Sequence, residues 1–143
     1  MSKFKILWVD DDVNRPELRA EKDELMEREC EVISIPNTDA FLEILKENHG
    51  NSDCDCIILD LSMPVGNEFA LQDAAYGSRT GLLLMKKIRE NFIFGGVKII
   101  VFTIVESDEI EKECKKYDAL YLKKAKLLSY EFADEVMKWI DSK

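Results

Sequence analysis

The chain has 143 residues, of which 46% are hydrophobic and 34% charged, values typical of one globular domain with its own hydrophobic core. Its net charge of −9 at pH 7 argues against direct nucleic-acid binding, which requires a basic surface, and is compatible with divalent cations. The sequence has no apolar run that could span a membrane and no visible signal peptide. We therefore expect a single cytoplasmic domain over residues 1–143, without membrane insertion.

Short apolar runs alternate with amphipathic stretches along the chain. In chain order they predict a strand at 5–9, a helix at 15–29, a strand at 31–35, a helix at 39–47, a strand at 56–61, a helix at 81–91, a strand at 97–104, a helix at 108–117, a strand at 119–123 and a helix at 129–140. Asn14 and Thr38 are the expected helix caps. The alternation predicts an α/β fold, a doubly wound five-stranded parallel sheet with five helices.

The four cysteines are Cys30, Cys54, Cys56 and Cys114. Two of them form a Cys-x-Cys pair inside an apolar stretch, which is the spacing of neither a zinc site nor a redox pair. We expect all four to be buried, reduced thiols.

Acidic residues follow two of the predicted strands. Asp10, Asp11 and Asp12 come after the first, and Asp60 lies near the end of the third. In open parallel sheets, ligands bind at the carboxyl ends of the strands. Carboxylates that converge there repel one another, and a hard cation relieves the repulsion. Because Mg²⁺ prefers one or two carboxylates together with water and phosphate oxygens, the cluster predicts Mg²⁺ and a phosphoryl ligand.

Two further residues suit the same chemistry. Thr103 lies near the end of the fourth predicted strand, and Lys124 follows the fifth. A hydroxyl can donate a hydrogen bond to a phosphoryl oxygen, and an ammonium can neutralise one. The Asp60 carboxylate would then be the nucleophile that forms an acyl phosphate. Each residue alone has an ordinary structural explanation, but their placement at successive strand ends favours a site.

Four segments resemble the response-regulator receiver domains of two-component signalling. They are KILWVDD at 5–11, IILDLSMP at 57–64, VFT at 101–103 and YLKK at 121–124. The resemblance covers nearly the whole chain and implies a flavodoxin-like sheet of strand order 2-1-3-4-5. It also implies a sensor histidine kinase or phosphotransfer protein as phosphoryl donor and an effector protein downstream.

The resemblance also assigns roles to individual residues. Asp60 would accept the phosphoryl group and promote its own phosphorylation and dephosphorylation. Mg²⁺ would be held by Asp10, Asp11, Asp60 and the backbone carbonyl of Ser62. Thr103 and Lys124 would contact the phosphoryl group, and Tyr121 would change rotamer when Thr103 moves.

The sequence departs from the receiver pattern at three places. Ala125 follows the lysine where the family usually has proline, and Ile104 follows the threonine where a small residue is usual and would narrow access to Asp60. The third departure is an inserted loop at residues 65–80, which we expect to be an ordered flap beside the site.

Two other functions are compatible with parts of this pattern. A haloacid-dehalogenase-type phosphatase also uses an aspartate nucleophile after a strand, but it needs a second acid two residues later, where this chain has Ser62. A degenerate receiver would serve as a phosphorylation-independent protein-binding module. Phosphate incorporation on Asp60 separates that alternative from a phosphoacceptor.

Overall fold

The structure is a computed structural model that describes residues 3–11, 16–47, 54–64, 66–67, 79–91 and 94–142. The predicted cap Asn14 and most of the 65–80 insertion lie outside these residues. The expectation that the insertion forms a flap therefore stays a prediction.

Strands and helices alternate throughout the described residues. In chain order they are β1 (Phe4–Val9), α1 (Arg19–Glu27), β2 (Cys30–Ile35), α2 (Thr38–Glu47), β3 (Cys56–Leu59), α3 (Thr80–Glu90), β4 (Lys98–Thr103), α4 (Asp108–Lys116), β5 (Ala119–Lys123) and α5 (Ser129–Asp141). Short 3₁₀ turns occupy Pro16–Leu18 and Lys124–Lys126. The strands form one parallel sheet in the order β2-β1-β3-β4-β5, which confirms the predicted fold class.

The sheet separates two hydrophobic layers. Alternate side chains of the central strands, such as Leu7 and Ile57, pack with α2, α3 and α4. The residues between them, such as Trp8 and Ile58, pack with α1 and α5. Because both faces are covered, the central strands are apolar along their whole length, as expected for buried parallel strands.

Two local predictions were wrong. Thr38 is not the cap of α2 but lies inside it, and the side chain of Asn37 caps the helix by accepting the Ala40 N–H at 2.7 Å. The strand predicted at 56–61 ends at Leu59. It ends there because the Leu61 N–H donates to the side chain of Asp60, at 2.7 Å, instead of to the neighbouring strand.

Two arginines, Arg79 just before α3 and Arg89 in its last turn, bind the two ends of α4. At the carboxyl end, the Arg89 guanidinium donates to the carbonyls of Tyr117 at 2.7 Å and Asp118 at 3.1 Å, and also to those of Gly95 and Val97. Its burial lowers the pKa of Arg89 below the ordinary value. At the amino end, Arg79 forms an exposed ion pair with Glu109, with an N–O distance of 3.1 Å.

The four cysteines are free thiols, as expected, and three of them are buried, whereas Cys54, which was also expected to be buried, is only partly so. Within the described part of the chain, the helices are all too short or too polar to cross a bilayer.

Candidate functional site

The carboxyl ends of the central strands bring three carboxylates together. β1 pairs with β3 so that Val9 lies opposite Leu59, which places Asp10 next to Asp60. The Asp60 N–H donates to the Val9 carbonyl at 3.1 Å, continuing the sheet by one bond. One carboxylate oxygen each from Asp10, Asp11 and Asp60 lies within 4.8 Å of the others. Asp10 and Asp60 are buried and Asp11 is exposed.

Lys124 lies between two of these carboxylates. Its Nζ is 2.9 Å from Asp10 Oδ2 and 2.9 Å from Asp60 Oδ2, and its side chain is only 13% exposed. Burial disfavours the charged ammonium, but the attraction of Asp10 and Asp60 outweighs it, so the pKa of Lys124 is raised. The lysine is therefore protonated at neutral pH and bridges the ends of β1 and β3.

Asp10, Asp11 and Asp60 bring three carboxylate groups close together, and their oxygens are ligands that a hard divalent cation prefers. Three carboxylate oxygens this close together, two of them on buried side chains, repel one another, and a cation would relieve that repulsion. The residues present thus fit Mg²⁺.

Both oxygens of Asp60 have partners, which fixes the side chain. Oδ1 accepts the Leu61 N–H at 2.7 Å, and the Ser62 N–H lies 3.4 Å from the same oxygen. Oδ2 faces Lys124. Ser62, whose backbone carbonyl was predicted to be a Mg²⁺ ligand, is exposed and lies at the rim of the site.

Gly81, at the start of α3, is a site residue that we did not predict. The Gly81 N–H donates to the Leu61 carbonyl at 3.1 Å. A Cβ on Gly81 would overlap the Asp60 carbonyl oxygen and lie 2.9 Å from Leu61 Cα. Only glycine therefore lets α3 approach the backbone of Asp60 this closely. A glycine at the predicted start of a helix, rather than at its end, was the available signal.

Thr103 and Tyr121 meet at Val105 rather than at the carboxylates. Thr103 is fully buried, and its Oγ1 accepts the Val105 N–H at 3.3 Å. The Tyr121 hydroxyl donates to the Val105 carbonyl. In the described residues, no hydrogen bond joins Thr103 Oγ1 to Asp60 or Lys124. The structure thus places Asp10, Asp11, Asp60 and Lys124 in one group and Thr103 at the neighbouring strand end.

The structure describes two of the three departures from the receiver pattern, Ile104 and Ala125. The side chain of Ile104 is 69% exposed, so most of it points to solvent at the rim of the site. The Lys124–Ala125 peptide bond is trans, since the described residues contain no cis bond.

No protein-family model matches the chain, and no curated protein matches its sequence. Solved structures do match it over nearly its whole length. A response regulator from Thermotoga maritima has a TM-score of 0.71 at 20% identity, covering 99% of this chain and 100% of that one. The BeF₃-activated receiver domain of Klebsiella pneumoniae RstA has a TM-score of 0.70 at 18% identity, covering 96% and 99%. The chemotaxis protein CheY4 of Vibrio cholerae has a TM-score of 0.69 at 19% identity, covering 95% and 98%. This chain therefore has the fold of the response-regulator receiver domains.

Proposed function

We propose that the chain is a phosphoacceptor receiver domain that takes a phosphoryl group on Asp60 and thereby changes a protein-binding surface. The observation that carries the proposal is the group formed by Asp60, the Lys124 ammonium at 2.9 Å and two further carboxylates within 4.8 Å. The group lies at the carboxyl ends of a parallel sheet, where ligands of such folds bind.

For phosphoryl transfer the protein mainly has to position the reacting groups and neutralise charge. A carboxylate oxygen of Asp60 attacks the phosphorus of a phosphohistidine. The P–N bond breaks, an acyl phosphate forms, and the imidazole leaves and takes up a proton. Lys124 neutralises charge on the transferred group, which phosphoryl transfer mainly requires.

Thr103 can donate to the same group. Its Oγ1 accepts the Val105 N–H, so the hydroxyl proton remains available for a phosphoryl oxygen. If Thr103 donated to a phosphoryl oxygen, its hydrogen bond with the Val105 N–H would change. Because the Tyr121 hydroxyl donates to the carbonyl of the same residue, the change would also affect Tyr121. This pair supports an output surface on the side of α4 and β5.

Asp10, Asp11, Asp60 and the Ser62 carbonyl would hold Mg²⁺. When bound, the cation would supply charge neutralisation at the phosphoryl oxygens and help to orient them. Asp10 is fully buried and held by Lys124, so its position does not depend on the cation.

The partners follow from the same proposal. A sensor histidine kinase or phosphotransfer protein would supply the phosphoryl group, and an effector protein in the cytoplasm would read the result. The net charge of −9 disfavours direct contact of this domain with nucleic acid.

The test is incubation with Mg²⁺ and acetyl phosphate, followed by intact mass. The wild-type chain should gain one phosphoryl group, and Asp60→Asn should gain none. Asp55→Asn is the control, because Asp55 is a partly buried aspartate that directly precedes β3 and accepts the Lys5 N–H at the opposite end of the sheet. An unmodified wild-type chain would instead support the degenerate binding module, and normal incorporation in Asp60→Asn would show a different acceptor.

A further inference from the structure

The backbone that follows Asp60 is held in an alternating arrangement. Leu61 and Met63 are buried in the hydrophobic layer under α2, α3 and α4, whereas Ser62 and Pro64 are exposed. This alternation places the Ser62 backbone at the rim, next to the carboxylates. Burial of two apolar side chains fixes the path of the segment but leaves the direction of each carbonyl to its hydrogen bonds.

Two buried threonines hold consecutive carbonyls of this segment. Thr80, the first residue of α3, is fully buried, and its Oγ1 donates to the Met63 carbonyl at 2.6 Å. Thr38, the first residue of α2, is 1% exposed, and its Oγ1 donates to the Pro64 carbonyl at 2.8 Å. Both hydroxyls come from the first turns of helices that flank the site on the same face of the sheet.

The Leu61 carbonyl is held as well, because it accepts the Gly81 N–H at 3.1 Å. Three of the four carbonyls between residues 61 and 64 therefore accept hydrogen bonds from helix starts. No described residue donates to the remaining carbonyl, that of Ser62. Because the carbonyls on both sides of it are held, the directions that the Ser62 carbonyl can take are restricted.

We propose that Thr38 and Thr80 are positioning residues for the metal site: by holding the Met63 and Pro64 carbonyls, they orient the Ser62 carbonyl as a ligand for Mg²⁺. This inference rests on the proposed function, which supplies the cation. Groups that orient metal ligands commonly change metal affinity by about 10–100-fold when removed. Mg²⁺ is sensitive to such changes because it requires near-octahedral geometry, whereas Ca²⁺ accepts irregular ligand sets.

The experiment compares Thr38→Val, Thr80→Val and the double variant with the wild-type chain. Valine keeps the shape of threonine and removes the hydroxyl. Dissociation constants for Mg²⁺ and Ca²⁺ are measured by calorimetry, and the free energy of unfolding is measured in urea. We expect the Mg²⁺ affinity of the double variant to fall by about tenfold, with a smaller loss for Ca²⁺.

Two controls separate positioning from general loss of stability. Thr38→Ser and Thr80→Ser keep the hydroxyl and should bind Mg²⁺ nearly as the wild type does. Ile88→Val truncates a core residue of α3 and should lower stability without changing the ratio of the two affinities. If the double variant does not fold, the single variants provide the same comparison.

The outcomes are distinguishable. Wild-type binding of Mg²⁺ with unchanged affinity in the valine variants overturns this inference and leaves the proposed function standing. Equal losses for Mg²⁺ and Ca²⁺, or a failure of serine to restore binding, also overturn it. A wild-type chain that binds no Mg²⁺ would overturn the role of the cation in the proposed function, and this inference with it.

Discussion

Thr103 and Tyr121 are connected through a single residue, Val105. The hydroxyl of Thr103 accepts the Val105 N–H at 3.3 Å, and the hydroxyl of Tyr121 donates to the Val105 carbonyl. Val105 is the second residue of the connection from β4 to α4, and its side chain packs against the hydrophobic layer beneath α4. A change at Thr103 therefore reaches Tyr121 and the start of α4 through one peptide segment.

The first prediction concerns this connection. Tyr121→Phe removes the donor to the Val105 carbonyl and should lower the free energy of unfolding by about 0.5–1.5 kcal/mol. On phosphorylation, amide NMR shift changes should extend through residues 110–117 in the wild type and less far in the variant. Tyr130→Phe, at an exposed tyrosine, is the control. Identical shift changes in wild type and Tyr121→Phe would show that Val105 transmits nothing through this bond.

The second prediction concerns Gly81. Gly81→Ala would force the backbone of Asp60 or α3 to move, because the new Cβ overlaps the Asp60 carbonyl oxygen. We expect a loss of about 1–3 kcal/mol in stability and slower phosphoryl incorporation. Gly96→Ala is the matched control, since a Cβ there meets no atom within 4 Å. Equal stability and equal incorporation in the two variants would contradict the close approach of α3 to the site.

The third prediction concerns Lys124. Lys124→Met leaves the buried Asp10 and Asp60 carboxylates without their ammonium partner, and breaking such a pair commonly costs about 3–5 kcal/mol. Because Mg²⁺ would bind only the folded site, it should restore part of the loss. Urea unfolding with and without Mg²⁺ measures both effects, with Lys126→Met, whose side chain is 65% exposed, as control. A variant as stable as wild type without Mg²⁺ would refute the bridging role.

The fourth prediction concerns pH and the cysteines. Burial raises the pKa of Cys54 to about 11 and that of Cys114 to about 12, from an ordinary value of 9.0. A thiol whose pKa is raised by folding adds stability that is present below its ordinary pKa and is lost as the pH rises through the folded value. The free energy of unfolding should therefore fall between about pH 9 and 11. At pH 8, native thiols should react slowly with a maleimide and quickly in urea.

The matched variant for this pH dependence is the pair Cys54→Ala and Cys114→Ala. It should make the fall in stability above pH 9 less steep, because two of the thiols that ionise earlier in the unfolded chain are gone. A fall that is just as steep in this variant would assign the alkaline effect to other groups. Fast maleimide labelling of the native wild type at pH 8 would contradict the burial of the thiols.

The positions of the candidate residues could be predicted from sequence where they depend on a strand end. Asp10, Asp60 and Lys124 each follow an apolar run, and the carboxyl ends of parallel strands meet at one edge of a sheet. The hydroxyl bonds of Thr38 and Thr80 could not be predicted in this way. They join residues 26 and 17 positions from their acceptors and depend on how two helices pack, which leaves no periodic pattern.

Element boundaries were less predictable than the elements themselves. The helix predicted from residue 15 begins at Arg19, because Pro16–Leu18 forms a 3₁₀ turn first. Thr38 and Asn37 are both good caps by residue type, and the structure uses the second because the first donates to Pro64. Competing local hydrogen bonds of this kind are decided by tertiary contacts.

Arg79 and Arg89 bind the two ends of α4 with contacts of unequal strength, and this difference bears on how the helix could tilt. Arg89 donates charge-assisted hydrogen bonds to the carboxyl end of α4, a partly buried one to Tyr117 and an exposed one to Asp118, and such bonds are strong. The exposed Arg79–Glu109 ion pair at the other end is of a kind that contributes little. We therefore expect any tilt of α4 to pivot at the end remote from the carboxylates. Over nine residues, about 14 Å of helix, a tilt of roughly 10° displaces the first turn by about 2 Å. If a small rearrangement at Asp60 tilts α4, the resulting displacement would be largest at the acidic first turn of the helix.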